Sequence, residues 1–298
     1  MKRISIICAV AVLLMLCGAC KQQERTLLSY SVSDKSSPDG WSLLREFVWK
    51  DGVVEQLRLH NPSKFERPEF EDWDSFFNYD LDYTYENGVL RSLTGNKYRT
   101  EFTYEGDKLV RVDQFSKDEG VHAYRVTFNY EGDDKVNADY YAMSHDALLW
   151  LESGLYPRKD STGTRVQVEM PEDTTLHLSA QAVYQWQNGN LVSVKTDYIG
   201  QFTIESRMEY DDKVNPFYKT YGNFDKLDLL SVTYPYAGNN LGVSKNNLTK
   251  ITWSSSLKVE DKPIQEMVFE YSYKYDGDYP VLQKDMRDSL EYRYEYVK

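Results

Sequence analysis

The chain has 298 residues, with 35 Lys and Arg against 47 Asp and Glu and with 25 Tyr among its aromatics. Such an acidic balance repels phosphate backbones and anionic lipid, which excludes nucleic acid as a partner. Mean hydropathy of −0.63 excludes an integral membrane body, and the length suffices for a core without disulfides or metals, in one large domain or two smaller ones.

The first element is a leader. Lys2-Arg3 precede an apolar run from Ile4 to Leu16, and Gly18-Ala19-Cys20 follow. The run is too short for the ~20 residues that cross a bilayer core, and the layout is that of an export signal. All three cysteines, Cys8, Cys17 and Cys20, fall in this stretch, so the body offers no thiol for a disulfide. The end of the segment resembles the lipobox of bacterial lipoproteins. That resemblance implies a signal peptide over residues 1–19 and acylation of Cys20, which follows small residues whereas Cys17 follows Leu16. It further implies a lipidated tether over residues 20–40 and a protein of the cell envelope, anchored to the outer membrane through Cys20. The periplasmic or surface face is left open.

The body repeats one phrase: two aromatics two residues apart, a turn, then aliphatic alternation. Tyr83-Thr84-Tyr85-Glu86-Asn87-Gly88-Val89-Leu90 is the cleanest copy, and Phe102 to Val112, Phe128 to Gly132 and Tyr184 to Val194 repeat it. Period-two alternation puts the paired aromatics on one sheet face. Asn-Gly and Asp-Gly supply the positive φ angles of two-residue hairpin turns. The reading is an all-β fold: a large antiparallel meander of hairpins, on the order of 12–14 strands, curled or partly closed like an open barrel to limit exposed edges. It occupies residues 41–298 as a single domain, with a seam near 142–180.

Two stretches break the phrase. Ser144 to Gly154 reads as a helix, with Ser144 as N-cap, Leu148 and Leu151 on one face and Gly154 as the stop. The polar stretch from Pro157 to Pro171 then reads as loop. Asp211 to Asn247 contains Asn215-Pro216-Phe217, a second short helix near Phe224–Leu230, and Pro235.

The copies resemble the tyrosine-aspartate (YD, RHS-type) repeat in the loosened form found in uncharacterised lipoproteins of bacteroidete bacteria. The resemblance rests on Tyr210-Asp211-Asp212-Lys213-Val214-Asn215-Pro216-Phe217, Asn246-Asn247-Leu248-Thr249-Lys250-Ile251 and Tyr273-Lys274-Tyr275-Asp276-Gly277-Asp278-Tyr279-Pro280. It covers roughly residues 45–298 and implies a large antiparallel β fold at the envelope, without an activity.

Candidate sites are few. The aromatic pairs Tyr83/Tyr85, Phe102/Tyr104 and Tyr184/Trp186 are expected to face the core rather than a sugar ring. The acidic–aromatic segment Glu66 to Phe77 lacks a calcium loop and reads as solvated, with Trp73 as the first choice for a ligand contact. His60, His122, His145 and His177 show no metal-ligand spacing, so no metal and no cofactor are expected. No nucleophile elbow or phosphate loop appears, and no catalytic residue is assigned. The expectation is a non-enzymatic lipoprotein, a structural or ligand-binding module whose partner is a glycan or an envelope protein. The alternatives are a glycan-binding surface lipoprotein and a carboxylate-dependent polysaccharide hydrolase.

Overall fold

A computed structural model describes residues 25–35, 37–60, 79–118, 120–155, 162, 164, 168–218, 242–257, 262–287 and 289–297. Among these, 16 strands follow one another: β1 (Leu27–Ser33), β2 (Trp41–Lys50), β3 (Val53–Leu59), β4 (Tyr79–Glu86), β5 (Val89–Thr94), β6 (Tyr98–Glu105), β7 (Lys108–Ser116) and β8 (His122–Tyr130). Then come β9 (Lys135–Ala142), helix α1 (His145–Leu155), β10 (His177–Gln187), β11 (Asn190–Tyr198), β12 (Phe202–Val214), β13 (Asn246–Leu257), β14 (Lys262–Asp276), β15 (Tyr279–Asp285) and β16 (Glu291–Tyr296).

Each strand pairs antiparallel with its neighbour in sequence, and β16 pairs with β1, so the sheet closes into a barrel. The expected all-β hairpin meander is therefore present, and its curl is complete. Closure removes the two edges that an open sheet would expose. Residues 27–33, read from sequence as tether, form β1 and seal the ring. Across the 142–180 interruption, β9 and β10 pair from His177↔Ala142 to Gln185↔Lys135.

The even-to-odd connections gather at one end, which we call the turn end. Asn87-Gly88 and Asn188-Gly189 hold φ of 53° and 76°, and 53° and 81°, the doubly positive pair that matches strand twist. Beside most of these turns an extra residue interrupts the ladder: Glu55 after Val54, Val110 after Leu109, Val192 after Leu191, Thr249 after Leu248 and Val281 after Pro280. A bulge breaks the ladder locally, and a buried carbonyl there needs another donor.

Aromatic side chains of the following strand supply it. Tyr85 Oη donates to Val54 O (2.9 Å), Tyr130 to Leu109 O (2.9 Å), Tyr210 to Leu191 O (2.6 Å), Tyr273 to Leu248 O (2.7 Å) and Tyr296 to Pro280 O (2.7 Å). Trp49 Nε1 does the same for Leu27 O at 2.7 Å. The repeated aromatic–turn–aliphatic phrase is thus one hairpin's half of a latch onto the hairpin before it.

This ring overturns the YD/RHS-type repeat assignment. The hairpins are consecutive staves of one closed barrel, joined last to first. The phrase recurs because each stave must bury one face and cap one bulge carbonyl, which repeated chemistry satisfies without a repeat array.

The described ends of the connection between β12 and β13 close on the turn end. Phe217, 1% exposed, lies 5.3 Å from Tyr30, 6.2 Å from Phe47 and 5.9 Å from Tyr294, ring to ring, and so reaches β1, β2 and β16. On the other side Trp186 Nε1 donates to Val243 O (3.4 Å), and Lys245 N donates to Gly189 O (3.1 Å). Barrels of this strand number leave a channel unless something occupies it; here Phe217 and Val243 enter one end of it.

Helix α1 sits at the opposite end. Ser144 Oγ accepts from Ala147 N at 3.2 Å, as its N-cap reading requires. Leu148 and Leu151 pack with Tyr98, Ala123 and Tyr124 at the ends of β6 and β8. The second helix expected near Phe224–Leu230 lies outside the described residues.

Candidate functional site at the open end of the barrel

Which way each strand faces decides what the barrel can do. On β10 the inward residues Ala180, Ala182, Tyr184 and Trp186 are buried, and the outward Gln181, Val183, Gln185 and Gln187 are exposed. Outward positions on neighbouring staves pair charge with charge across strands: Lys195 opposite Glu205, Glu209 opposite Lys250, and Lys250 opposite Glu270. On β7 and β8 the outward Asp113 is clamped by Arg111 Nε (2.8 Å), Arg125 Nε (2.6 Å) and His122 Nε2 (2.9 Å). A membrane-spanning barrel has the reverse arrangement, an apolar band about 25 Å tall outside and polar groups within. This outer face is dressed for water.

The inner face is apolar and aromatic, and its two ends differ. Toward the turns, Val54, Leu90, Leu109, Val136, Leu191 and Leu248 are sealed from solvent. Toward the other end, Leu59, Leu81, Ile204, Met267, Phe269 and Tyr292 pack on the same core yet remain partly exposed. Around that end stand Leu178, Ile199, Leu257 and Met286, apolar and 39–53% exposed. The aliphatic wall is therefore partly open toward this end, while toward the turns the partly exposed inward side chains are the aromatics Trp49, Tyr85, Tyr104, Tyr130, Tyr210, Tyr273 and Tyr296.

A few polar groups are set into this wall. Gln283, fully buried, accepts from Tyr294 Oη (2.6 Å) and Tyr30 Oη (3.2 Å), while its Nε2 has no hydrogen-bond partner among the described residues. Tyr292 stacks on Tyr30 with centroids 5.3 Å apart and planes at 2°. Arg45 shares the inner face through its register with Tyr30 and Leu59, and Asp285 does so opposite Tyr271. Tyr140 and Tyr184 hydrogen-bond phenol to phenol across β9 and β10. Burial pushes both of these phenols, and those of Tyr273 and Tyr294, well above the ordinary tyrosine range. Near neutral pH they are donors and stacking surfaces, not bases.

Mostly apolar walls with a small number of fixed polar groups are the composition of a small-molecule site. The barrel mouth is the candidate site. Among the described residues no group of three or more His, Cys, Asp or Glu is placed to hold a metal ion.

The residues singled out from sequence sort unevenly. Tyr83, Phe102, Tyr184 and Trp186 are core, as expected, and Tyr85 and Tyr104 pack against it. Cys20 and Trp73 lie outside the described residues. Gln283, Arg45 and Asp285 were missed, because period-two alternation marks which face a residue takes but not how far along the barrel it stands. Phe217 was noted within its Asn-Pro-Phe turn, without a sign that it crosses to β1 and β2.

No protein-family model and no curated protein matches the chain. Among solved structures it is similar to a porin-like protein from Bacteroides vulgatus ATCC 8482, with a TM-score of 0.49, 13% identity and coverage of 92% of this chain and 99% of that one. A porin-like protein from Bacteroides uniformis ATCC 8492 has a TM-score of 0.49 and 10% identity, over 92% and 98%. At this identity neither lends the chain a family or a function.

Proposed function

We propose that the chain is a non-catalytic binding barrel of the cell envelope, exported, cleaved before Cys20 and held to the outer membrane by lipid on that cysteine. The charged outer face supports tethering rather than spanning. Three acyl-independent features support binding: aromatic inner walls, one filled end, and an opposite end where the inward aliphatic side chains Leu59, Leu81, Ile204 and Met267 meet solvent. The last of these carries the reading, since a purely structural barrel has no need of apolar side chains partly exposed inside one end. The ligand is a molecule with an extended apolar face, a description that pyranose rings also meet when they stack on Tyr.

The hydrolase alternative needs a pair of carboxylates facing one bond, ~5–10 Å apart. The inner wall sets Asp285 opposite Tyr271, and no observation favours that reading. The test is a titration with N-phenyl-1-naphthylamine, a fluorescent apolar probe, on the wild type and on Ile204→Trp, which narrows the mouth. Enhanced fluorescence in the wild type and a tenfold or greater loss of affinity in the variant, about 1.4 kcal/mol, are expected. A folded wild type that leaves the probe dark overturns the binding reading. Radiolabelled palmitate in the wild type and none in Cys20→Ala tests the anchor separately.

A further inference from the structure

The chain start is pinned to the turn end. Arg25 Nη1 pairs with Asp276 Oδ2 at 2.9 Å, beside the β14–β15 turn. Its guanidinium lies 5.5 Å from the ring centroid of Tyr279 and 5.9 Å from that of Tyr296. Val297 N donates to Thr26 O (2.9 Å), Leu27 stands opposite Tyr296, and Trp49 Nε1 holds the Leu27 carbonyl. Arg25, the first described residue, therefore sits at the filled end of the barrel, opposite the mouth.

Reach then decides orientation. From Cys20 to Arg25 the chain spans roughly 17 Å when fully extended, at about 3.5 Å per residue. The 15 residues of β14, tilted as barrel strands are, stand on the order of 38 Å high. A lipid on Cys20 thus holds the turn end within reach of the bilayer, while the mouth stands more than twice the tether's length beyond it.

We propose that the barrel stands on its filled, tethered end with its mouth directed away from the anchoring membrane, so that it takes ligand from the facing aqueous space and not from the bilayer that holds it. This rests on the Cys20 anchor and the open-end site proposed above, and it adds the direction of access. The apolar rim of Leu178, Ile199, Leu257 and Met286 belongs to the far end and meets the arriving ligand. The sequence places those four residues at or beside strand ends away from the tight turns, where a rim resting on the anchoring bilayer would require the chain start to lie at the same end.

The body contains no cysteine after Cys20, which makes the test direct. Single cysteines are placed at exposed positions of the turn end, Asp107→Cys and Gln187→Cys, and of the mouth end, Lys117→Cys and Ile199→Cys. The acylated full chain is labelled with nitrobenzoxadiazole and reconstituted in phosphatidylethanolamine–phosphatidylglycerol vesicles bearing a nitroxide on the headgroup. Quenching at positions 107 and 187 at least about twofold greater than at 117 and 199 is expected from a height difference on the order of 25 Å across the strands between them. Equal quenching at both ends, or stronger quenching at the mouth, overturns the orientation while leaving the anchor intact. Protein that fails to float with the vesicles overturns the anchor itself, and the orientation with it.

Discussion

The latch at Tyr210 is the sharpest place to test how this barrel is held. Its hydroxyl donates to Leu191 O at 2.6 Å and accepts from Ser244 Oγ at 3.0 Å, and Ser244 Oγ in turn accepts from Leu191 N at 3.1 Å. The three groups close a circuit at a place where Leu191 and Ser244 are sealed from water. Tyr210→Phe keeps the ring and leaves a buried carbonyl and a hydroxyl without their partner, a loss of about 2 kcal/mol on the scale of one unsatisfied buried group. For a chain of this size each kcal/mol lowers Tm by roughly 2–4 °C, so a fall of about 4–8 °C is expected. Far-UV circular dichroism during thermal and urea unfolding reads it. Tyr141→Phe, on the outer face opposite Arg125, is the control and should stay within ~0.5 kcal/mol of wild type. Adding Ser244→Ala to Tyr210→Phe should cost less than the two singles together, because they share one circuit. If Tyr210→Phe is no more destabilising than Tyr141→Phe, the latch is geometry without energy.

Further outcomes follow from the same structure. Phe217→Ala removes a ring packed among Tyr30, Phe47 and Tyr294 and should cost about 3–5 kcal/mol by urea unfolding, with faster amide exchange at Val243 and Ser244; unchanged exchange there would show that Phe217 does not seal the end. Asp113→Asn leaves Arg111 and Arg125 facing a neutral amide and should lose ~1.5–3 kcal/mol, with the loss shrinking in high salt. Burial pushes the Tyr85 phenol up to about 12 and holds Tyr140, Tyr184, Tyr210, Tyr273 and Tyr294 well above their usual value. A raised phenol favours the folded state fully below the unfolded value near 10, and that contribution is lost as pH climbs through 12, by up to ~1.4 kcal/mol per pH unit and per phenol. Absorbance at 295 nm should therefore show a late class of tyrosines ionising together with the loss of β circular dichroism; all 25 titrating near pH 10 with the fold intact would refute it.

Much of the architecture was legible before any coordinates. Tyr83-Thr84-Tyr85 followed by Asn87-Gly88 and Leu90 states a strand, a turn and the face that is buried, because side chains alternate and only certain residues accept positive φ. Ser144 announced the helix that Leu148 and Leu151 anchor. The role of each tyrosine hydroxyl was not legible. Tyr85 and Tyr83 look alike in a strand, yet nothing in the sequence marks Tyr85 as the ring whose hydroxyl meets the carbonyl freed at the bulge of the strand before it, and bulges arise from how twisted hairpins fit around a ring.

The local code by itself determined hairpins, their turns and their greasy side, since those depend on neighbours a few residues apart. Closure was a different matter: that Leu27 meets Tyr296 across nearly the whole described chain, that Phe217 reaches four to six staves away to enter one end, and that Gln283 and Arg45 share an inner wall. These are consequences of how far a twisted sheet must curl before its last strand finds its first. Only that distance decides which end of the barrel is filled and tethered and which is left for a ligand.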